Sequence, residues 1–151
     1  MTGFIDGCGI LTYHTTPRAR QLTVVFGARA AAEHRDVLDR LRTFFAGAGR
    51  IYGASGRVAS GRARRSHLLR IVRPIELMRV VRHLDEFPLQ GPRAECYAVW
   101  REMVVVRAAY HRTAAPERLF GLARRLSALS STGRMRRSTR GEPRRDPDAS
   151  A

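Results

Sequence analysis

The sequence predicts an α+β domain in which strand pairs alternate with helices, and three observations carry that expectation. Two pairs of stretches, Ile10 to Tyr13 with Gln21 to Phe26 and Arg50 to Gly53 with Ser66 to Val72, have strand composition and are joined by chain rich in turn formers. Each pair is followed by apolar residues at helical spacing. Beyond Ser130 the apolar period disappears, and Ser, Gly, Pro and Arg dominate.

In the first pair, Thr15 to Arg20 contains Pro17 and reads as the connection of a hairpin. Within its second strand Leu22, Val24 and Phe26 point to one side and Gln21, Thr23 and Val25 to the other, which gives one packing face and one largely polar face. From Ala30 to Ala46, Val37, Leu38, Leu41, Phe44 and Phe45 recur as one stripe of an amphipathic helix, ended by Gly47 and Gly49. In the second pair Leu69 and Ile71 pack while Arg70 faces away.

Pro74 opens a further helix through Ile75, Leu77, Met78, Val81 and Leu84, because proline at a first helical position loses no needed donor. Arg93 to Tyr110 forms another, with Tyr97, Trp100, Met103 and Val104 inside. Pro116 to Leu129 carries Leu119, Phe120, Leu122, Leu126 and Leu129 and predicts a short terminal helix over 112–129. The segment 130–151 buries too little to offset chain entropy and is expected to be a disordered basic tail.

Charge narrows the function. Twenty-eight basic residues against 13 acids give +15, and all 28 are arginine. Polyanions are the expected partners. Residues 1–111 carry +9 by themselves, so the tail is not the sole source. The segment 50–73 holds Arg50, Arg57, Arg62, Arg64, Arg65, Arg70 and Arg73 with no acid, the strongest electrostatic footprint in the chain. Two cysteines, Cys8 and Cys96, with no CxxC spacing provide neither a disulfide framework nor a zinc site, which fits a reducing, cytoplasmic setting. No apolar run approaches the roughly 18 residues of a membrane span, so no membrane role is expected. His14, His34, His67, His83 and His111 have no metal-binding spacing and read as surface or helix-end residues.

Gly3, Phe4, Ile5, Asp6, Gly7, Cys8 and Gly9, taken with the order of elements, resemble the LAGLIDADG homing endonuclease family. Phe87, Pro88 and Leu89, then Arg93, Tyr97 and Trp100, are similar to that family's proline-leucine, basic and aromatic segment before its last helix. The resemblance covers about residues 1 to 110. It implies an α-β-β-α-β-β-α domain over 1–111, with a four-stranded antiparallel saddle sheet. It also implies that the motif helix packs against its twin, so that a chain with one motif acts as a homodimer on a two-fold DNA site.

Gly3 and Gly7, four apart, stack on one helix face and let two backbones approach, with Phe4 beside them on the dimer helix. Double-stranded DNA is then expected across Arg18, Arg20, Gln21, Thr23, Arg57, Arg62, Arg64, Arg65 and Arg70, phosphate contacts supplying affinity and strand side chains reading base edges. The activity implied is Mg²⁺-dependent phosphodiester hydrolysis, with Asp6 the remaining carboxylate for metal and catalysis and Arg93 at the basic catalytic position. Cys8 stands where the family has its metal-binding acid, and thiols favour softer ions than Mg²⁺. Cleavage is therefore expected to be weak or lost. The alternative is a nuclease-derived module that binds DNA or RNA without chemistry.

Overall fold

A computed structural model describes residues 1–16, 21–57, 63–91, 93–109 and 116–132. Along the chain run α1 (Thr2–Cys8), β1 (Gly9–Thr16), β2 (Gln21–Ala31), α2 (Arg35–Phe44), β3 (Arg50–Arg57), β4 (Ala63–Ile71), α3 (Pro74–Glu86), α4 (Arg93–Ala109) and α5 (Pro116–Thr132). The strands form one four-stranded sheet in the order β1-β2-β4-β3, with every pairing antiparallel. Both strand pairs and the α+β class are therefore as the sequence predicts.

The helices cover one face of this sheet. α2 lies against β2 and β4, α4 against β1 and β2, and α3 and α5 against α4. Between the layers sits one continuous apolar core that includes Leu22, Val24, Phe26, Leu69 and Ile71 from the strands and Leu38, Leu41, Leu77, Leu84, Trp100 and Met103 from the helices. Trp100 is fully buried in it, its ring inclined at 59° to that of Phe26 with centroids 6.3 Å apart. Its indole Nε1 donates to Val25 O at 3.0 Å, just beyond the last β2–β4 pair at Phe26 and Ile71. A buried indole N–H thus finds an acceptor where the ladder stops.

One helix boundary differs from the sequence expectation. The stretch from Ala30 is not yet α-helix: β2 runs to Ala31, a 3-10 turn covers Ala32–His34, and α2 begins at Arg35. Pairing of Ala28 to Ala31 with Leu69 to Ser66 of β4 holds this alanine-rich stretch extended against its helical propensity. At the other end, α5 continues to Thr132, past the composition break at Ser130, whose Oγ donates back to Leu126 O at 2.8 Å. Leu119, Leu122, Ala123 and Leu126 belong to the main core, so α5 completes the domain. The rest of the expected tail, 133–151, lies outside the described residues.

The turn between α2 and β3 is fixed from both sides. Ala46, Gly47 and Gly49 have φ of 53°, 77° and 74°, the left-handed region that suits glycine. A Cβ on Gly49 would stand 2.5 Å from Arg70 O, so only glycine fits so close to β4. Glu76 on α3 accepts from Gly49 N at 3.1 Å, and Arg79 donates to Phe45 O and Ala46 O at 3.1 and 2.9 Å. These bonds set the start of β3, and with it the position of Arg50. A second clamp joins α3 to α4: Arg101 Nε donates to both Asp85 carboxylate oxygens, at 2.8 and 2.9 Å, and the Tyr97 hydroxyl donates to Asp85 at 2.6 Å. The Arg101 bond, and after it Tyr97, holds the Asp85 carboxyl below its ordinary range, while burial and the Asp85 charge push the Tyr97 phenol upward.

Candidate nucleic-acid interface and the α1 helix

Strand pairing determines which residues share the sheet face opposite the helices. In phase on it are Ile10, Thr12, His14 and Thr16 of β1, Gln21, Thr23, Val25, Gly27, Arg29 and Ala31 of β2, Ser66, Leu68 and Arg70 of β4, and Arg50 and Tyr52 of β3. No acidic residue occupies a described position of this face. Apart from Arg29 near the end of β2, the polar groups of the β1–β2 half are threonine, glutamine and histidine. The β4–β3 half is cationic. Arg50 stands directly opposite Arg70, and Arg29, opposite Leu68, is the diagonal neighbour of Arg70.

Like charges directly across a strand pair repel, so an apposed Arg50 and Arg70 gain nothing from each other in the free protein. Arg70 also has its Nε buried with no hydrogen-bond partner among the described residues. A buried unpaired donor carries a desolvation cost of about 1–3 kcal/mol, which an anion laid on the face relieves. The face is less polar than expected in one respect: Val25, placed on it by phase, is only 3% exposed.

At the edge of the sheet, α1 leads into β1. Ile5 is buried and Phe4 packs against the core, while Gly3 and Gly7 are exposed, and a Cβ added to either would meet nothing within 4 Å. Gly3, Asp6 and Gly7 share one side by the i, i+3, i+4 rule, and Cys8 stacks with Phe4 instead. Cys8 is exposed and Asp6 half-buried.

Arg93 is engaged by the backbone where α1 meets β1. Its Nη1 donates to Ile5 O at 3.3 Å and to Gly9 O, so the guanidinium caps the carbonyl end of α1. A cation at a helix C-terminus is favourable and fixes how α1 enters β1. Among the described residues no group of three or more His, Cys, Asp or Glu could hold an ion. Asp6 and Cys8 alone do not meet the oxygen-rich coordination of Mg²⁺. Among the described residues of one copy, the donors present do not fit that ion.

No protein-family profile and no characterised protein sequence matches the chain. Solved structures do. The homing endonuclease I-SmaMI bound to cleaved DNA superposes with a TM-score of 0.67 at 16% identity, over 87% of this chain and 45% of that one. I-GzeII in complex with its DNA target gives 0.63 at 12% identity, over 85% and 41%, and I-TnaI gives 0.61 at 20%, over 87% and 93%. The chain has the LAGLIDADG homing endonuclease fold. It spans less than half the length of I-SmaMI and I-GzeII but nearly all of I-TnaI. Among the described residues no helix is long and apolar enough to cross a membrane.

On this LAGLIDADG fold the sequence-predicted binding residues divide. Gln21, exposed, and Thr23, half-buried, lie on the helix-free face together with Arg70. Arg65 does not: it is exposed, but it is in phase with Leu69 and Ile71, so the pleat turns it from that face. Arg64 pairs with Gly56 and Arg57 with Ala63 at the far end of the β3–β4 ribbon. Arg18, Arg20 and Arg62 lie outside the described residues. Arg29 and Arg50 are the cations that sequence reasoning left out of the binding set. Counting by two from Arg70 and its partners would have found them, but only once the register was known.

Proposed function

We propose that the chain binds double-stranded DNA on the helix-free face of its sheet as a pair of copies related by a two-fold axis through α1, with phosphodiester cleavage weak or lost. The observation that carries this reading is the acid-free face on which Arg29, Arg50 and Arg70 cluster around an unpaired buried guanidinium nitrogen. Such a cluster supplies phosphate contacts, while the uncharged Thr12, Gln21 and Thr23 offer hydrogen bonds of both senses to base edges.

Two further features support it. The matched structures of I-SmaMI and I-GzeII hold DNA, and this chain matches somewhat under half of each. A second copy would supply the remainder, and the exposed Gly3 and Gly7 leave α1 free to meet it. The donor set of Asp6 and Cys8 argues against efficient Mg²⁺-dependent chemistry.

Incubation with a randomised duplex library in Mg²⁺ or Mn²⁺, followed by sequencing of retained and cut molecules, tests both halves. Two-fold sites enriched among retained but uncut molecules are expected. Absence of retention overturns the DNA reading, and metal-dependent cutting above a chelator control overturns the loss of chemistry.

One observation favours a second reading, that of an RNA-binding module. Tyr52 is 48% exposed on the cationic half of the face, where its ring could stack an unpaired base. Preference for single-stranded RNA over duplex in direct competition, lost in Tyr52→Ala, would decide for it.

A further inference from the structure

α1 cannot by itself bury enough surface to hold two copies together. Its seven residues rise about 10 Å, and a helix is about 10 Å across, so its exposed side offers a footprint on the order of 100 Å². Stable association takes about 800 Å² from each partner. The exposed ridge of Gly3 and Gly7 also carries no side chains to fill an interface.

An apolar patch begins where α1 starts. The Thr2 hydroxyl is 3.0 Å from His83 Nε2 and 3.4 Å from Phe87 O, so the first turn of α1 rests on the end of α3. Around that contact Met1, Phe44 and Phe87 are 46%, 49% and 51% exposed. Phe44 meets the His83 ring edge-on at 4.9 Å, and Phe87 lies 5.2 Å from it on the other side. Together they border a shallow pocket of about 340 Å³. Its rim carries Arg79, Arg82 and Glu86, charges of both signs around an apolar centre, which is the anatomy of a protein interface.

We infer that the two-fold interface of this chain extends from α1 onto the Met1, Phe44 and Phe87 patch, and that its occupant is the same patch of a second copy. The inference rests on the dimer proposed above. Three features favour a second copy over another partner. The patch is continuous with α1, it supplies apolar area that α1 lacks, and Arg82 with Glu86 lets a self-pairing set opposite charges together.

Sedimentation equilibrium of the full 151-residue chain tests it, with the double variant Phe44→Ser/Phe87→Ser, with Gly7→Arg, and with Val105→Ser as an exposed apolar control elsewhere. The double variant is expected to raise the dimer dissociation constant at least tenfold, Gly7→Arg to abolish dimers, and Val105→Ser to change neither. Hydroxyl-radical footprinting of the wild-type chain needs no folded variant: Met1, Phe44 and Phe87 should become protected as concentration rises through dimerisation. Dimers lost in Gly7→Arg but unchanged in the double variant, or no footprint protection on dimerisation, overturn the extension and leave the α1 dimer standing. A wild-type chain that stays monomeric at every concentration, or dimers indifferent to Gly7→Arg, overturns the α1 reading itself and the extension with it.

Discussion

Replacing Arg70 by methionine should make the protein more stable and a poorer binder of DNA. Methionine keeps the apolar stem of the arginine while removing the charge and the donors. In the free protein, the buried Nε without a partner costs about 1–3 kcal/mol, and apposition to Arg50 adds up to about 1 kcal/mol. Arg70→Met removes both, so a gain of about 1–4 kcal/mol is expected, or roughly 2–16 °C in Tm at about 2–4 °C per kcal/mol for a chain of this size. Thermal unfolding by circular dichroism without DNA measures it. In parallel, fluorescence anisotropy on duplex DNA across a salt series should show weaker binding. Each phosphate contact contributes about 0.9 to the slope of log K against log salt, so a dimer losing two Arg70 contacts flattens it by about 1.8. A Tm that falls in Arg70→Met, or DNA affinity and salt slope that both stay unchanged, would refute the argument that this arginine is held at a cost for an anion.

Further tests bear on how the site is held. Gly49→Ala puts a Cβ 2.5 Å from Arg70 O at a φ of 74°; it should cost about 2–4 kcal/mol in chemical denaturation and weaken DNA binding by moving Arg50. Arg93→Met removes the donors to Ile5 O and Gly9 O and should destabilise by about 1–3 kcal/mol in the same assay. A catalytic role would instead appear as lost cutting at unchanged Tm. Burial, and next the Met1 ammonium, hold the His83 imidazole below its ordinary 6.5. The unfolded chain then takes up the proton more readily, so stability should rise with pH through about 6.5 and fall below it. Urea midpoints at pH 5.5 and 7.5 should differ less in His83→Gln than in wild type. Asp85 shifts the other way for an acid: what the Arg101 bond contributes is present above the ordinary value of 3.8 and lost as pH falls below it, an acid limb that Asp85→Asn should remove.

The strands and the packing stripe of each helix were legible because alternation and 3.6-residue periodicity are local properties: Leu22, Val24 and Phe26, or Leu77, Val81 and Leu84, declare their face without any partner. The start of α2 was not, since Ala30 and Ala31 are held extended by His67 and Ser66 from across the sheet. The same non-locality governs which arginines share a face. Arg65 and Arg70 look alike in an acid-free run, yet an odd spacing places them on opposite faces. Arg29 joins the cluster only through its pairing with Leu68, in a strand that follows a whole helix and another strand. The capping role of Arg93 depends on carbonyls 84 and 88 residues away, which no motif at its own position reveals.

The Tyr13 hydroxyl meets Ser127 Oγ at 2.7 Å, across 114 positions of sequence, so the last described helix closes over the first strand. During synthesis β1 and β2 can pair soon after they emerge, but the core they line stays open to solvent until α5 has left the ribosome. The apolar inner face of the sheet is therefore finished last, and the nascent domain spends most of its translation unsealed along that side. A chain cut short within α5 would leave Leu119, Leu122 and Leu126 unavailable to the core, a vulnerability of the late-folding end rather than of the helix-free face of the sheet.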